Sequence, residues 1–151
     1  VAEVFDADAT GAAQVTHGYT YSAHPVAAAA ALATLKILQD EDIAGHVATV
    51  SPAFQQRLRG LKDRVPFVGD VRGVGLMLGI EMVADQATKA TLPRTSELPA
   101  RIARAAYRRG LMVRVSGPNL ILSPPLVISE AELEFLCETL EAAFDEAVAA
   151  S

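Results

Sequence analysis

The chain has 151 residues, 51% of them hydrophobic, which is enough to bury one core. Its net charge of −5 at pH 7 argues against nucleic acid or an anionic membrane surface as the main partner. The one cysteine, Cys137, excludes an internal disulfide and fits a reducing compartment, and no apolar run reaches the length of a membrane span. We therefore expect a cytoplasmic protein. Because the sequence starts at Val1 without a methionine, we also expect a segment of a longer one.

Two successive helices are predicted in the first half of the chain. Residues 1–16 are small and polar and predict a loop. Pro25 suits the first position of a helix, and apolar residues at helical spacing follow it as far as Leu38. The polar segment 39–42 offers a fresh N-cap for a second, amphipathic helix, which we expect Pro52 to kink or interrupt.

The second half of the chain predicts strands alternating with helices. Strands are predicted at 67–72 and 76–83, joined by a bend at 73–75, and a surface loop follows at 84–95. A helix then runs from Leu98 until Gly110 ends it, and two short strands follow at 111–115 and 120–122. In the last predicted helix, Ser129 and Glu132 form a capping box at the N-terminus. Short turns between strands, with helices on one side, predict an α+β fold with a mostly antiparallel sheet.

The loop from His17 to Pro25 combines a glycine, small hydroxyl side chains and the start of a helix. Hydroxyls and backbone N–H groups beside a helix N-terminus suit an anion, particularly a phosphate. The lysine of a P-loop is missing, so a nucleoside triphosphate is not indicated. Alternatively, the Thr20 hydroxyl simply satisfies a backbone group of its own loop.

The same segment, His-Gly-Tyr-Thr-Tyr-Ser-Ala-His-Pro followed by alanines, resembles a segment of the class III, pyridoxal-phosphate-dependent aminotransferases. Two further stretches, Asp70 to Met77 and Arg109 to Leu126, resemble that family in the same order. The resemblance implies that the Thr20 hydroxyl and the Tyr19 N–H hold the phosphate of pyridoxal 5'-phosphate across a dimer interface. Ala23 stands where the family usually has glycine.

The resemblance also implies an architecture. It predicts the small C-terminal domain of a fold-type I pyridoxal-phosphate-dependent transferase, preceded by a long linking helix. Residues 1–24 would be the tail end of the large cofactor domain, residues 25–62 the linking helices, and residues 63–151 the small α+β domain.

Arg114 is the second candidate site residue. It is predicted at a strand end with apolar neighbours, where its guanidinium can offer a bidentate fork to a carboxylate. From the pattern alone, a solvated arginine on an edge strand is the more frequent case. The resemblance favours the other interpretation, because the matching arginine of ω-amino-acid:pyruvate transaminases binds the substrate carboxylate.

Other residues that can carry chemistry have structural explanations. His17 and His24 match no zinc spacing, so we predict no metal site; His24 is expected to cap the helix or pack at the interface, and His17 to orient the loop. Gly73 and Gly75 predict a bend between strands rather than a dinucleotide site. Cys137 falls on the buried stripe of the last helix and is predicted to be a core residue.

Three more side chains are assigned from their neighbours. Arg72 is expected to pair with Asp70 or with a neighbouring domain. His46 is placed on the polar face of the second helix. Ser123 precedes two prolines and shows no nucleophile elbow, so a serine-hydrolase triad has little support.

The lysines limit what this chain does alone. Pyridoxal chemistry needs a lysine amine that forms a Schiff base, and Lys36, Lys62 and Lys89 all fall in solvated-looking positions that do not resemble the family's active-site lysine. We therefore expect that lysine upstream and predict that the 151-residue chain alone is inactive.

The function predicted for the complete protein is transfer of an amino group from an ω-amino acid or amine to a keto acid such as pyruvate, in a homodimer or higher homo-oligomer. One alternative is a stand-alone binding or oligomerisation module that has lost the catalytic half. Another is an aminomutase or decarboxylase relative with the same fold.

Overall fold

The structure is a computed structural model and describes Glu3, Thr10 and residues 18–150. By the clustering of its contacts the chain divides into two compact units, residues 1–40 and residues 41–151. None of the described helices is both long and apolar enough to cross a membrane.

In the first unit, the main described element is helix α1, Pro25–Asp40. The prediction of a helix that starts at Pro25 is confirmed. No residue of this helix is buried in the described chain, although it is rich in alanine and carries Val26, Leu32, Leu35 and Ile37. Helix α1 therefore keeps its apolar side chains largely in contact with solvent.

The second unit begins with helices α2, Ile43–Arg59, and α3, Leu61–Arg64. The predicted N-cap is confirmed, since the Asp42 side chain accepts a hydrogen bond from the N–H of Gly45 at 3.3 Å. The expected interruption at Pro52 is wrong, because α2 continues through it. Pro52 is exposed, so water can satisfy the backbone carbonyl that the missing N–H leaves free.

Four strands form a sheet with the order β1-β2-β5-β4, and a fifth short strand, β3, pairs with β2. All pairings are antiparallel, which confirms the predicted α+β fold with its antiparallel sheet. The strands are β1 (Val68–Val74), β2 (Met77–Asp85), β3 (Ala90–Thr91), β4 (Arg114–Ser116) and β5 (Asn119–Leu122). The segment predicted as a surface loop at 84–95 therefore contains the end of β2 and all of β3.

Strands β1 and β2 form a hairpin whose glycines have separate roles. Gly75 adopts φ +57 in the turn, a conformation that favours glycine. A Cβ on Gly73 would lie 2.0 Å from the carbonyl oxygen of Met77, so only glycine fits there. The prediction of a bend between the two strands is confirmed at Gly75, whereas Gly73 and Val74, which were predicted to belong to the bend, lie in β1. Both glycines are explained without a nucleotide.

Helices α4, Leu98–Arg108, and α5, Glu130–Ala149, complete the second unit. The predicted capping box is confirmed: Ser129 accepts from the N–H of Glu132 at 3.3 Å, and the Glu132 carboxylate accepts from the N–H of Ser129 at 2.8 Å. Gly110, at φ 90, follows the end of α4 as predicted.

The core lies between the helices and one face of the sheet. Alternation along the strands buries Val71, Leu78, Ile80, Leu120 and Leu122 on that face. The Phe67 and Phe144 rings stack at the centre, with centroids 6.2 Å apart. The other face, which we call the open face, carries Arg72, Val74, Met77, Gly79, Ile121 and Arg114.

Candidate functional site

A tight turn places the two predicted phosphate ligands side by side in the first unit. The carbonyl of Tyr19 accepts a hydrogen bond from the N–H of Ser22 at 3.0 Å, which closes a turn with Thr20 at its second position. The Thr20 side chain is exposed. The turn therefore presents the Thr20 hydroxyl outward, although its role toward phosphate stays a prediction.

The start of helix α1 follows this turn directly. The Nδ1 atom of His24 accepts from the N–H of Ala27 at 3.4 Å, and the His24 carbonyl accepts from the N–H of Ala28 at 2.9 Å. The predicted capping role of His24 is thereby confirmed. His17, predicted to orient the loop, lies outside the described residues.

The donor chemistry of this segment fits a phosphate group. It combines an exposed hydroxyl with the positive end of a 16-residue helix, where anions are stabilised. That Thr20 and the Tyr19 N–H hold the phosphate of pyridoxal 5'-phosphate stays a prediction.

Ala23 sits in this loop with φ 58, in the left-handed region. A side chain with a Cβ pays a steric cost there of about 1 kcal/mol that glycine avoids. The alanine thus keeps the backbone conformation that a glycine favours at this position.

Arg114, in the second unit, is the first residue of β4 and is exposed. It lies directly opposite Ile121 of β5. Because β4 is at the end of the four-strand order, its other edge faces no strand of that path. The strand predicted at 111–115 is displaced: β4 begins at Arg114 and runs to Ser116, so Arg114 lies at the start of the strand and not at its end before the turn. Its role toward carboxylates stays a prediction.

The open face joins Arg114 to a second arginine. Strand register places Arg72, Gly79, Ile121 and Arg114 in one row across the four strands. The Arg72 guanidinium lies 3.2 Å from Asp70 and 2.6 Å from Glu81, and these hydrogen bonds raise its pKa. The predicted pairing of Arg72 with Asp70 is confirmed, and Glu81 is a partner that the sequence analysis missed. The sequence contained an indication of this partner, because the alternation of side chains along the two predicted strands places Arg72 and Glu81 on the same face of the sheet.

A groove of about 480 Å³ opens beside the end of β5 and the N-terminal half of α5. Its walls are mostly apolar and include Met112, Ile121, Pro124, Val127 and Phe135. Ile121 is both a wall of this groove and the cross-strand neighbour of Arg114. The groove thus borders the row of residues that contains the candidate carboxylate ligand.

His46 stabilises the loop that lines this groove. Its Nε2 atom lies 2.8 Å from the Ile128 carbonyl oxygen, which only accepts, so the ring carries its proton on Nε2. The assignment of His46 to a polar face is wrong, because its side chain is half-buried. The sequence already indicated this burial, because the helical spacing of His46 from Ile43 and Val50 places it beside the buried stripe of α2.

In the described part of the chain, the three lysines lie at the surface and the cysteine lies in the core. Lys36 forms an exposed ion pair with Asp40 at 2.6 Å, and Lys62 and Lys89 are exposed. All three amines are therefore open to solvent. Cys137 is buried, as predicted, and burial raises the pKa of its thiol to about 11, which disfavours the nucleophilic thiolate.

An ionic cluster on α2 and α5 was not anticipated. The Arg57 guanidinium donates to both carboxylate oxygens of Glu141, at 3.0 and 2.9 Å, and also pairs with Glu134. These hydrogen bonds hold the pKa of the Glu141 carboxyl below its usual range. The cluster links two helices of the second unit and needs no ligand to explain it.

The sequence and fold match known transaminases along most of the chain. The family model described as aminotransferase class-III matches residues 1–144. Gamma-aminobutyrate transaminase 1, mitochondrial, of Oryza sativa subsp. indica is 37% identical over 136 residues, which are 90% of this chain and 26% of that protein. The adenosylmethionine-8-amino-7-oxononanoate aminotransferase of Methanocaldococcus jannaschii is 40% identical over 134 residues, 89% of this chain and 29% of that protein.

Solved structures agree with these matches. An amine transaminase from an uncultivated Pseudomonas species, in a PLP-bound form, superposes with a TM-score of 0.81 at 43% identity, over 89% of this chain and 30% of that one. This chain spans about a quarter of the length of the curated relatives it matches, 26% in the rice transaminase.

Proposed function

This chain belongs to the class III aminotransferases, which use pyridoxal phosphate. From that premise we propose that it is the C-terminal portion of an ω-transaminase-like enzyme. The complete protein would move an amino group from an ω-amino acid or amine to a keto acid such as pyruvate. The observation that carries this proposal is the identity of 37–43% with transaminases across nine-tenths of the chain.

In the proposed enzyme, residues 1–24 end the large cofactor domain, residues 25–62 link it to the rest, and residues 63–151 form the small domain. The subunits would pair as a homodimer or a higher homo-oligomer. A cytoplasmic location is part of the proposal and is supported by the lone cysteine, which fits a reducing compartment.

Thr20 and the Tyr19 N–H would hold the cofactor phosphate of the partner subunit. The exposed Thr20 hydroxyl and the adjoining start of α1 support this role. When bound, pyridoxal phosphate supplies an aldehyde that takes up the amino group and a ring that withdraws electrons from the substrate carbon.

Arg114 would orient the substrate by binding its carboxylate. Its exposed guanidinium on an edge strand, beside the apolar Ile121, supports this role because an arginine fork matches the two oxygens of a carboxylate. Substrates without a carboxylate would not use it.

The lysine that takes and returns the substrate proton would lie in another part of the complete protein. The described settings of Lys36, Lys62 and Lys89 support this, and we propose that the 151-residue chain alone does not transaminate.

A chimera tests the proposal directly. In it, this chain replaces the matching portion of the amine transaminase from the uncultivated Pseudomonas species, and that transaminase without the portion is the control. We expect the chimera to bind pyridoxal phosphate, seen by its absorbance, and to exchange amino groups between alanine and pyruvate. A folded chimera with neither property contradicts the proposed function.

Thr20→Val in this chimera tests the phosphate contact. We expect cofactor to dissociate about tenfold faster, since a charge-assisted hydrogen bond is lost. Thr34→Val is the matched control, because the Thr34 hydroxyl bonds the Ala30 carbonyl within α1. Equal cofactor retention in both variants would contradict a role for Thr20.

The oligomerisation module is a second candidate, favoured by one observation. Leu32, Leu35 and Ile37 of α1 are 67%, 60% and 51% exposed, which is unusual for large apolar side chains unless they meet a partner. Sedimentation of the 151-residue chain as a stable dimer, combined with an inactive chimera, would favour the module over the enzyme.

A further inference from the structure

We propose that His46 is a positioning residue for the proposed transamination, because it holds the polypeptide that forms the groove wall beside Arg114. That polypeptide is the segment from Ser123 to Ile128, which we call the post-β5 segment. This inference rests on the proposed function, in which Arg114 binds the substrate carboxylate. It adds a residue of α2 that acts through the backbone of the post-β5 segment rather than by touching the substrate.

The post-β5 segment and Arg114 lie at the same edge of the sheet. Arg114 begins β4 and pairs with Ile121, the last residue but one of β5, so β5 ends at the edge where β4 begins. The segment leaves this edge directly after Leu122, and its Pro124 lines the groove together with Ile121. A displacement of the segment therefore moves the groove wall, and with it the strand pair that carries Arg114.

Hydrogen bonds within the post-β5 segment do not fix its position on the rest of the fold. Pro124 and Pro125 have no backbone N–H to donate. The N–H of Ile128 donates to the Pro125 carbonyl at 3.0 Å, which closes a turn inside the segment. The bond from His46 Nε2 to the Ile128 carbonyl, at 2.8 Å, connects the segment to α2 from 82 residues away in the sequence. This bond therefore ties the groove wall to the helix layer.

Helix α2 is a firm support for this bond. Its Val50 and Phe54 side chains are 7% and 3% exposed in the core, and the half-buried His46 lies one turn before Val50. A single hydrogen bond of this kind has a modest net effect on stability, whereas a small displacement of a substrate-binding group strongly lowers the rate of reaction. The loss of the His46 bond should therefore affect kinetics more than stability.

Gln55, on the same helix, offers a matched comparison. Its Nε2 atom donates to the Gly75 carbonyl, also at 2.8 Å and also partly buried. Gly75 lies in the turn between β1 and β2, and the strand order β1-β2-β5-β4 places β5 between that hairpin and the strand of Arg114. If His46 were only structural, loss of either bond would have the same consequence. A positioning role predicts that only the loss of the His46 bond affects the carboxylate substrate.

The test compares His46→Leu, His46→Gln and Gln55→Leu in the chimera. We expect His46→Leu to raise KM for pyruvate about tenfold and to change kcat by less than about twofold, because the carboxylate-binding edge is displaced. His46→Gln should bring KM back to within about threefold of the wild-type value, because the glutamine amide can donate an N–H to the same carbonyl. Gln55→Leu should lower the thermal midpoint as much as His46→Leu does and leave KM for pyruvate unchanged.

Equal KM values for pyruvate in His46→Leu and Gln55→Leu would overturn the inference, and if Arg114→Ala raises KM in the same chimera, the proposed function stands. An inactive chimera contradicts the proposed function, and amide hydrogen exchange of the 151-residue chain then decides whether His46 holds this edge. We expect His46→Leu to speed exchange in β4 and β5 about tenfold relative to Gln55→Leu. Equal exchange rates in the two variants would overturn the inference.

Discussion

Helices α1 and α5 are both rich in apolar residues, yet only one of them contributes to a core. Helix α5 buries a stripe that includes Leu136, Leu140 and Phe144, whereas α1 buries no residue in the described chain. The second unit therefore contains the packing that stabilises it, whereas the first unit presents a turn and a helix whose apolar side chains are exposed in the described chain. An apolar helix sequence indicates burial without indicating which molecule supplies the partner surface.

The largest expected difference between the units is in how far the free energy of unfolding falls when an apolar side chain is truncated to alanine. Phe144 is fully buried against Phe67, so Phe144→Ala should lower the free energy of unfolding by about 3–5 kcal/mol. Leu32→Ala in α1 should change it by less than about 0.5 kcal/mol, because Leu32 is 67% exposed. Urea denaturation of both variants measures this, and a comparable loss from Leu32→Ala would show that α1 belongs to the core.

A smaller effect is expected from the ionic cluster of the second unit. Arg57 lowers the pKa of the Glu141 carboxyl, so the ion pair stabilises the fold above the ordinary carboxyl pKa of about 4.3, and this stabilisation is lost as the pH falls through and below that value. Glu141→Gln should remove roughly 1–2 kcal/mol at pH 7 and flatten the decline of stability in acid. Urea midpoints between pH 3 and 7 measure it, with Glu138→Gln on the exposed side of α5 as control. A decline as steep as in the wild type would contradict this role of the pair.

The smallest effect on global stability is expected at Ala23. Ala23→Gly should relieve up to about 1 kcal/mol of local strain at φ 58, yet leave the urea midpoint unchanged because the packed core lies in the other unit. Amide hydrogen exchange at residues 18–24 detects the local change. A shifted global midpoint would mean that the turn and the core unfold as one unit.

Local features of this fold were predictable because local chemistry determines them. Pro25 begins α1, and Ser129 with Glu132 begins α5, since each depends on neighbouring backbone groups only. The hairpin at Gly75 belongs to the same class. Long-range contacts were missed: Arg57 and Glu141 are 84 residues apart, and His46 and Ile128 are 82 apart, so no sequence window contains both partners.

The candidate site was predictable only in part, for a related reason. The turn that contains Thr20 forms between near neighbours in its own sequence, whereas β4 begins at Arg114 and not at Leu111 as the sequence pattern predicted. The open face does not form between near neighbours, because it arises when strands β1, β2, β5 and β4 pair in register and align Arg72 with Arg114.

The acceptor selectivity of Arg114→Ala in the chimera tests the central claim, that this chain supplies the carboxylate ligand of an aminotransferase. Arg59→Ala, at an exposed position of α2, is the matched control. We predict that kcat/KM for pyruvate falls by about 100-fold, as expected when a charged bidentate contact is lost, while kcat/KM for an amine without a carboxylate changes by less than about threefold. Equal losses for both substrates, or no loss for pyruvate, would contradict the account.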